Sequence, residues 1–263
     1  MPRNLSVFKD KMRYAILVAY DGTHYGGWQI QKNSITVQQK LEEACFKVFG
    51  KKICVTASGR TDSGVHAAGQ VCHFDADTTI PADKIAEVLN LVLPQDISVL
   101  DSIAAPTDFD SNRSAKRKTY RYSFYVSTRR NPLKDRYSVW VKNAVDIAKL
   151  QHISGAFEGK RDFKAYCKSG SQVKTTVREV YSVCVSSRES MGGTDIDVTV
   201  CGAGFLYNMV RTIAGTMLNY AQGFLSEEEI RRSFDLLDRE AVGKTMPAKG
   251  LTLVSVDYGI KLF

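Results

Sequence analysis

This 263-residue chain has no long apolar run and no cysteine or histidine spacing of the kind that metal sites use. No apolar stretch approaches the roughly 20 residues of a membrane-spanning helix, so we expect no membrane contact. The six cysteines are scattered without a CxxC pair, which is typical of reduced, buried thiols. Asp10 and Lys11 interrupt the N-terminal apolar residues, and we predict no signal peptide there. These absences predict a cytoplasmic protein without a structural metal ion.

Negative charge is scarce relative to positive charge, because 36 lysines and arginines stand against 28 aspartates and glutamates. The net charge of +8 bears on solubility and partners rather than on the fold. Nucleic acid is the partner that this balance favours. Hydrophobic residues make up 44% of the chain, which is enough for a full core.

The first 105 residues show, in order, the six elements of a ferredoxin-like unit, β-α-β-β-α-β. An apolar run predicts a buried strand at residues 13–20, and Val37, Leu41 and Cys45 share one face of the helix that follows. The other predicted elements are a strand at 51–57, a strand at 65–75, a helix at 81–93 and a strand at 96–105.

The rest of the chain repeats this architecture without repeating the sequence. A strand at 118–127 places Tyr120, Tyr122, Phe124 and Val126 on one face. The other predicted elements are a helix at 144–157, strands at 176–187 and 195–202 joined by a hairpin turn, helices at 205–222 and 226–238, and a strand at 250–258. We predict an α+β protein whose two ferredoxin-like halves, residues 1–105 and 106–263, form one broad, mostly antiparallel sheet. Helices would cover one face, and a ligand would lie on the other.

The segment "SGRTDSGVHA", residues 58–67, surrounds Asp62 with small residues. Aspartate, serine and glycine are the residues of tight turns, so a turn between two strands is one interpretation. The other is a reactive carboxylate presented on a loop, since an ionised carboxylate can act as a nucleophile.

Arg211 is the only charged residue between Asp197 and Glu227, inside an apolar predicted helix. Its side chain can extend to water, or it can pair with a carboxylate in the interior. Pairing is favoured because little polar sequence surrounds it, and Asp62 is a plausible mate. A bidentate arginine would hold the pKa of Asp62 below its ordinary value of about 3.9.

Residues 113–130 contain seven basic residues and no acidic one, interleaved with aromatic residues. Basic side chains neutralise phosphates and aromatic rings stack on unpaired bases, so the pattern favours single-stranded or looped RNA. A solvated strand edge is the other interpretation. The candidate RNA contacts here are Arg113, Lys116, Arg117 and Lys118.

The glycine-rich segment "YDGTHYGGWQIQ", residues 20–31, adds Asp21, His24, Trp28 and Gln29. Trp28 fits a second stacking platform and equally fits a plug in the core. Asp21 and Asp62 together suit a divalent ion, which would make the chain a metal-dependent nuclease. The only support for that alternative is that the loop carrying Asp21 and the loop carrying Asp62 share a place in the predicted ferredoxin-like unit.

Five segments of the chain resemble the tRNA pseudouridine synthase A family, in that family's order. They are "YDGTHYGGWQIQ" (20–31), "SGRTDSGVHA" (58–67), "KTYRY" (118–122), "GFLYNMVRTIAG" (204–215) and "PAKGLTLVSVDY" (247–258). The resemblance implies the pseudouridine synthase fold and the isomerisation of uridine to pseudouridine in the tRNA anticodon arm, usually at positions 38 to 40. It also implies a homodimer that needs no cofactor and no metal ion.

The resemblance further implies roles for individual residues. Asp62 would be the nucleophile, and Arg211 would pair with it. Arg60 would help to draw the target nucleotide out of its helix. Tyr120 would stack on the flipped uracil and handle the proton at C5, while Gln29 and the four basic residues of 113–118 would bind substrate.

Two positions depart from the family's pattern. Arg161 stands where a histidine is frequent, and "CGAG" at 201–204 replaces a more polar stretch. These departures bear on which uridines and tRNAs are modified. The alternatives to a tRNA-uridine isomerase are a non-catalytic RNA-binding module and a related synthase with a shifted RNA target.

Overall fold

The computed structural model describes residues 11–168, 173–190 and 192–263. The N-terminal segment in which we predict no signal peptide lies largely outside these ranges, as does residue 191 of the predicted hairpin turn. None of the helices within the described ranges is long and apolar enough to cross a membrane.

The first part of the chain forms four strands and two helices in the predicted β-α-β-β-α-β order. They are β1 (Met12–Tyr20), α1 (Val37–Phe49), β2 (Thr56–Ala57), β3 (His66–Ala76), α2 (Ile85–Asn90) and β4 (Ile97–Ala105). Helix α1 begins where the Thr36 hydroxyl accepts a hydrogen bond from the Gln39 N–H, and it ends at Gly50, whose φ of 68° is left-handed. Val37, Leu41 and Cys45 are buried along one face of α1, as their spacing predicts.

The second part adds six strands and three helices. They are β5 (Arg117–Val126), β6 (Val139–Val141), α3 (Ile147–Ser154), β7 (Gly159–Asp162), β8 (Val177–Ser190), β9 (Gly193–Gly202), α4 (Met209–Ala221), α5 (Glu227–Leu236) and β10 (Leu251–Asp257). Strands β6 and β7 lie in stretches for which the sequence predicts no strand, because each is too short to show an alternating pattern.

All ten strands belong to one sheet in the order β4-β1-β3-β10-β5-β9-β8-β7, with β2 on β3 and β6 on β5. Each half contributes the strand order of a ferredoxin-like unit, β4-β1-β3-β2 and β10-β5-β9-β8. The predicted fold class is therefore confirmed. The halves meet where β10 pairs in parallel with β3, at Thr252 opposite His66 and Leu253 opposite Ala67.

The main core lies between the helices and one face of the sheet. Tyr122 and Phe124 point from β5 into this core, beside Ile213 of α4, and Leu41 of α1 belongs to the same cluster. A smaller cluster around Phe109 lies on the opposite face, covered by loop residues. The five helices therefore cover one face of the sheet, as predicted.

Three helices are several residues shorter than their apolar patterns predict, and α3 is one of them because a 3-10 turn at Gly155–Phe157 follows it. Helix α2 ends at Asn90, whose side-chain amide bonds to the N–H and the carbonyl of Val99 and so turns the chain into β4. Helix α4 begins at Met209 rather than at residue 205, because Asn208 has a left-handed backbone with φ 66°. Arg211 therefore lies in the first turn of α4 rather than in its middle.

Candidate active site

Residues 58–65, called the Asp62 loop below, connect β2 to β3. Buried polar contacts hold the start of this loop. At the start of the loop, the Ser58 N–H donates to Val71 and the Ser58 hydroxyl lies 2.5 Å from the Gln70 side-chain oxygen. The Gln70 amide in turn donates to the Gly59 carbonyl at 2.7 Å. Ser58 and Gln70 are both fully buried, so these bonds fix the entry of the loop.

Lys118, at the start of β5, and Asn112, just before β5, also hold this entry. The Lys118 ammonium and the Asn112 amide both donate to the Ser58 carbonyl. Burial lowers the pKa of Lys118. Lys118, which the sequence suggests as an RNA contact, is therefore turned inward beside the Asp62 loop.

The loop segment next to Asp62 is anchored to residues 20–31. The Trp28 N–H donates to the Thr61 carbonyl at 3.0 Å, and the Tyr20 hydroxyl lies 2.8 Å from the Thr61 hydroxyl. A Cβ at Gly27, whose φ is +97°, would lie 2.6 Å from the Thr61 carbonyl oxygen. Glycine is thus required for this close approach. The backbone leading into Asp62 is therefore fixed by contacts that reach back to β1 and β3.

Arg211 reaches Asp62 from the first turn of α4. Its Nη1 lies 3.5 Å from Asp62 Oδ2, with the two side chains 16% and 23% exposed. The contact is a single one rather than the bidentate pair that we expect from the sequence. Two guanidinium nitrogens also donate to other acceptors, since Nε donates to the Met246 carbonyl and Nη1 itself to Asn208 Oδ1, each at 2.7 Å.

Burial raises the pKa of Asp62, and the charges of Arg211 and Lys168 offset that rise only in part. The expectation that Arg211 holds this pKa below its ordinary value is therefore wrong. The desolvation of the carboxylate outweighs one long ion pair. The ionised carboxylate is less stable in this site than in water, and such a group is a stronger nucleophile than a well-solvated one.

Tyr120 lies on the same face of the sheet as Lys118, two residues along β5. Its ring packs edge-to-face on Phe205 with centroids 5.3 Å apart, and the residue is 8% exposed. Burial, followed by the nearby charge of Asp62, raises the pKa of the Tyr120 phenol far above its ordinary value. The phenol is therefore protonated at neutral pH and can donate a proton or a hydrogen bond.

These groups surround one pocket of about 810 Å³. Six of the residues singled out from the sequence line it: Trp28, Gln29, Arg60, Asp62, Lys118 and Tyr120. Its apolar wall includes Leu206, Met209 and Val210 from the start of α4, Trp28, and Leu251 of β10. The volume suits a nucleoside-sized group with a polar end at Asp62 and an apolar wall opposite.

The pocket lies on the helix-bearing face of the sheet, at the seam between the halves. Lys118 and Tyr120 point to the same side as the main core, and Met209 of α4 forms part of the wall. The candidate pocket therefore lies on the helix-bearing face, whereas the sequence leads us to expect a ligand on the uncovered face. The helices of the two halves cover their own strands and leave a gap at the seam.

The remaining basic candidates lie outside this pocket. Arg113, Lys116 and Arg117 are exposed and do not line it. The Arg117 guanidinium carbon is 5.2 Å from the ring centroid of Tyr181, which places Arg117 over β8. The structure thus separates this basic segment into an inward lysine and three outward cations.

Trp28 is not exposed as a stacking platform would be, and Asp21 does not line the Asp62 pocket as a shared metal site would require. Trp28 is 3% exposed and packs against Tyr20, so it is a core plug that also forms pocket wall. Asp21 contacts Arg136 at 2.6 Å and Tyr137 at 3.0 Å and does not line the Asp62 pocket. Although burial opposes it, hydrogen bonds from Thr23 and Tyr137 lower the pKa of Asp21 to about 2.

Neither departure from the family pattern touches the pocket in the described part of the chain. Arg161 donates to the Glu158 carbonyl and lies over the Phe234 ring at 5.1 Å. Ala203 donates to the Glu179 carbonyl beside β8.

Sequence reasoning missed the supporting residues Tyr20, Gln70, Asn112, Lys168 and Asn208. Gln70 carries a readable signal, because it is a lone amide within the apolar run of β3. The others become visible only when strands and loops from distant parts of the chain meet.

Comparisons with known proteins agree with this geometry. The family model described as tRNA pseudouridine synthase matches residues 16–112 and 153–259. The chain is 44% identical over 243 residues to a tRNA pseudouridine synthase A of Ruminiclostridium cellulolyticum, covering 92% of this chain and 98% of that one. It is 41% identical over 248 residues to a tRNA pseudouridine synthase A of Caldicellulosiruptor bescii, covering 94% and 100%. The matched ranges include Asp62 and Arg211.

Proposed function

The chain belongs to the tRNA pseudouridine synthase family and is an isomerase of tRNA uridine, and from this premise we propose that Asp62 is its nucleophile. The observation that carries the proposal is the placement of Asp62 in the pocket, with Arg211 3.5 Å away and Tyr120 in the same lining. A half-buried arginine beside a half-buried carboxylate in a pocket is typical of a functional site.

The isomerisation breaks the bond between N1 and C1′, rotates the base, and forms a bond between C5 and C1′ as the proton leaves C5. Three routes are open to a carboxylate here: attack at C1′, addition at C6, or assistance of a glycal intermediate. Each needs Asp62 ionised and close to the nucleoside. Arg211 favours the ionised form, while burial keeps the carboxylate poorly solvated and reactive.

Tyr120 and Arg60 serve the flipped nucleotide in this proposal. Extruding a base costs a few kcal/mol of stacking, which an aromatic face in the pocket can offset. Tyr120 presents such a face between Phe205 and the Asp62 loop. Arg60 is exposed at the pocket, where its side chain can occupy the space that the extruded nucleotide leaves. Since the Tyr120 phenol is protonated at neutral pH, it can take up the C5 proton only while passing its own proton to an acceptor, and the Asp62 carboxylate in the same lining can serve as that acceptor.

We propose that the substrate is the anticodon arm of tRNA, modified at positions 38 to 40. We also propose that the protein acts in the cytoplasm as a homodimer. The exposed cations Arg113, Lys116 and Arg117 do not line the pocket, and their charge suits a phosphate backbone outside it. Gln29 lines the pocket and suits a contact to the nucleotide.

Tritium release tests the nucleophile. Unmodified tRNA transcripts carrying [5-³H]uridine lose tritium when C5 forms its new bond. With EDTA present, we expect release by the wild-type protein and none by Asp62→Asn, while the two bind tRNA with affinities within a few fold. Substantial release by Asp62→Asn would overturn the assignment, and mapping the pseudouridines made by the wild type tests positions 38 to 40.

A further inference from the structure

Asn208 has a left-handed backbone, which is uncommon outside glycine even though asparagine adopts it more readily than most residues. Its φ is 66° and its ψ −1°, and within the described ranges only Leu237 shares a positive φ among the non-glycine residues. A left-handed backbone costs a residue with a Cβ free energy that glycine does not lose. Where such a conformation persists at a site, the side chain is the feature to examine.

The Asn208 side chain does not do what an asparagine before a helix usually does. In that position the side-chain oxygen normally accepts a hydrogen bond from the N–H groups of the first turn. Within the part of the chain that the structure describes, Asn208 makes no such capping bond. Its Oδ1 instead accepts a hydrogen bond from Nη1 of Arg211, at 2.7 Å.

That bond fixes the direction of the Arg211 guanidinium. Nε of Arg211 is held by the Met246 carbonyl at 2.7 Å, and Nη1 is held by Asn208. Nη1 is also the atom nearest Asp62, at 3.5 Å. Because a planar guanidinium held at Nε and Nη1 cannot rotate, the two bonds together set the face that it presents to the carboxylate.

We propose that Asn208 is a positioning residue, whose amide oxygen holds Arg211 in the orientation from which it faces Asp62. The inference rests on the proposed role of Asp62 as the nucleophile. It explains why the residue is neither glycine nor aspartate. Glycine suits the backbone but offers no acceptor, whereas aspartate would offer Arg211 a second carboxylate and compete with Asp62 for it.

The test compares Asn208→Gly and Asn208→Asp with the wild type, using tritium release from tRNA over a range of pH and a melting temperature for each. We expect Asn208→Gly to melt at the wild-type temperature or higher, since glycine tolerates this φ. Its kcat should fall roughly ten- to hundred-fold with little change in KM, because a misplaced charge stabilises the transition state less. The acid limb of its kcat profile should move to higher pH, since Asp62 loses part of the charge that favours ionisation.

Asn208→Asp should keep the backbone turn and also lose kcat, because Arg211 then pairs with the new carboxylate. Three outcomes would overturn the proposal: wild-type kcat in Asn208→Gly, a rise in KM alone, or a fall in kcat and melting temperature without movement of the acid limb. Asp62→Ala is assayed alongside. Turnover by Asp62→Ala would refute the nucleophile itself, whereas an inactive Asp62→Ala beside a fully active Asn208→Gly would refute only the role of Asn208.

Discussion

At the scale of single residues, the site is built around a carboxylate that the fold destabilises. Burial raises the pKa of Asp62 even with Arg211 beside it. Asp75 on β3 shows the opposite case, since its hydrogen bond with Arg13 lowers its pKa. The same pairing of aspartate and arginine thus has opposite results, and the degree of burial and the geometry of the contact decide between them.

Asp62→Asn should therefore raise the melting temperature at pH 7 while abolishing turnover. A carboxyl group whose pKa is raised by folding binds its proton more tightly when folded, so the wild type loses stability as the pH rises through that pKa. The amide does not titrate. We expect the difference in melting temperature, measured by calorimetry, to be positive at pH 7 and to vanish only below the ordinary pKa of aspartate, where the folded and unfolded chains both hold the proton.

Asp75→Asn is the control, because its lowered pKa means that the ionised form adds stability at neutral pH. This variant should melt below the wild type at pH 7, with the difference shrinking as the pH falls. If Asp62→Asn also melts below the wild type at pH 7, Arg211 stabilises the carboxylate more than burial destabilises it.

At the scale of single elements, the alternation of side chains along strand β5 points Lys118 and Arg117 to opposite sides of the sheet. Lys118 points toward the Asp62 loop and donates to the Ser58 carbonyl, whereas Arg117 is exposed and lies over Tyr181 on β8. Neighbouring residues of a strand face opposite sides of the sheet. The basic segment therefore serves both the pocket and the outer surface.

Lys118→Met and Arg117→Met form a matched pair that tests this separation. Lys118→Met should lower kcat roughly tenfold or more, because the entry of the Asp62 loop loses a buried charged donor. Arg117→Met should leave kcat unchanged, weaken tRNA binding, and reduce the slope of log affinity against log salt by roughly 0.7 to 0.9. Equal kcat losses in both variants would refute the separation, and single-turnover tritium release with filter binding measures both quantities.

The elements that the sequence predicts best are those with long, unbroken patterns. Helix α1 and strands β1, β4 and β5 follow from apolar spacing, and Gly50 marks the end of α1 where its left-handed φ requires glycine. Patterns fail where one side chain overrides them, as Asn208 does at the start of α4 and Asn90 does at the end of α2. Those bonds join residues that the sequence gives no reason to associate.

The candidate site divides in the same way. Asp62, Arg211 and Tyr120 can be found from charge isolation and family resemblance, and the structure places Asp62 and Tyr120 in one pocket lining with Arg211 in contact with Asp62. The sequence could not predict which face of the sheet carries the pocket, nor that folding raises the pKa of Asp62, because both depend on how the two halves meet. The boundary between residues 105 and 106 stays a prediction.

At the scale of the whole molecule, the site depends on the seam between β3 and β10. Leu253 of β10 lies opposite Ala67 of β3 on one side and Tyr120 of β5 on the other, and it is fully buried. Loosening the packing there should displace Tyr120 relative to the Asp62 loop. Neither leucine lines the pocket, but Leu150 is equally buried on α3 and away from the pairing of β10 with β3 and β5, which makes it a suitable comparison.

Leu253→Ala and Leu150→Ala should each cost about 2–5 kcal/mol of stability, since each leaves a cavity in a packed core. Only Leu253→Ala should also lower kcat, by roughly tenfold or more, because a shift near 1 Å between reacting groups is enough for such a loss. Tritium release measured well below both melting temperatures separates the two effects. If the two variants lose kcat equally, general loosening accounts for the loss; if neither loses it, Tyr120 and the Asp62 loop are held by the polar contacts around Ser58 and Thr61, and the packing of the seam sets only stability.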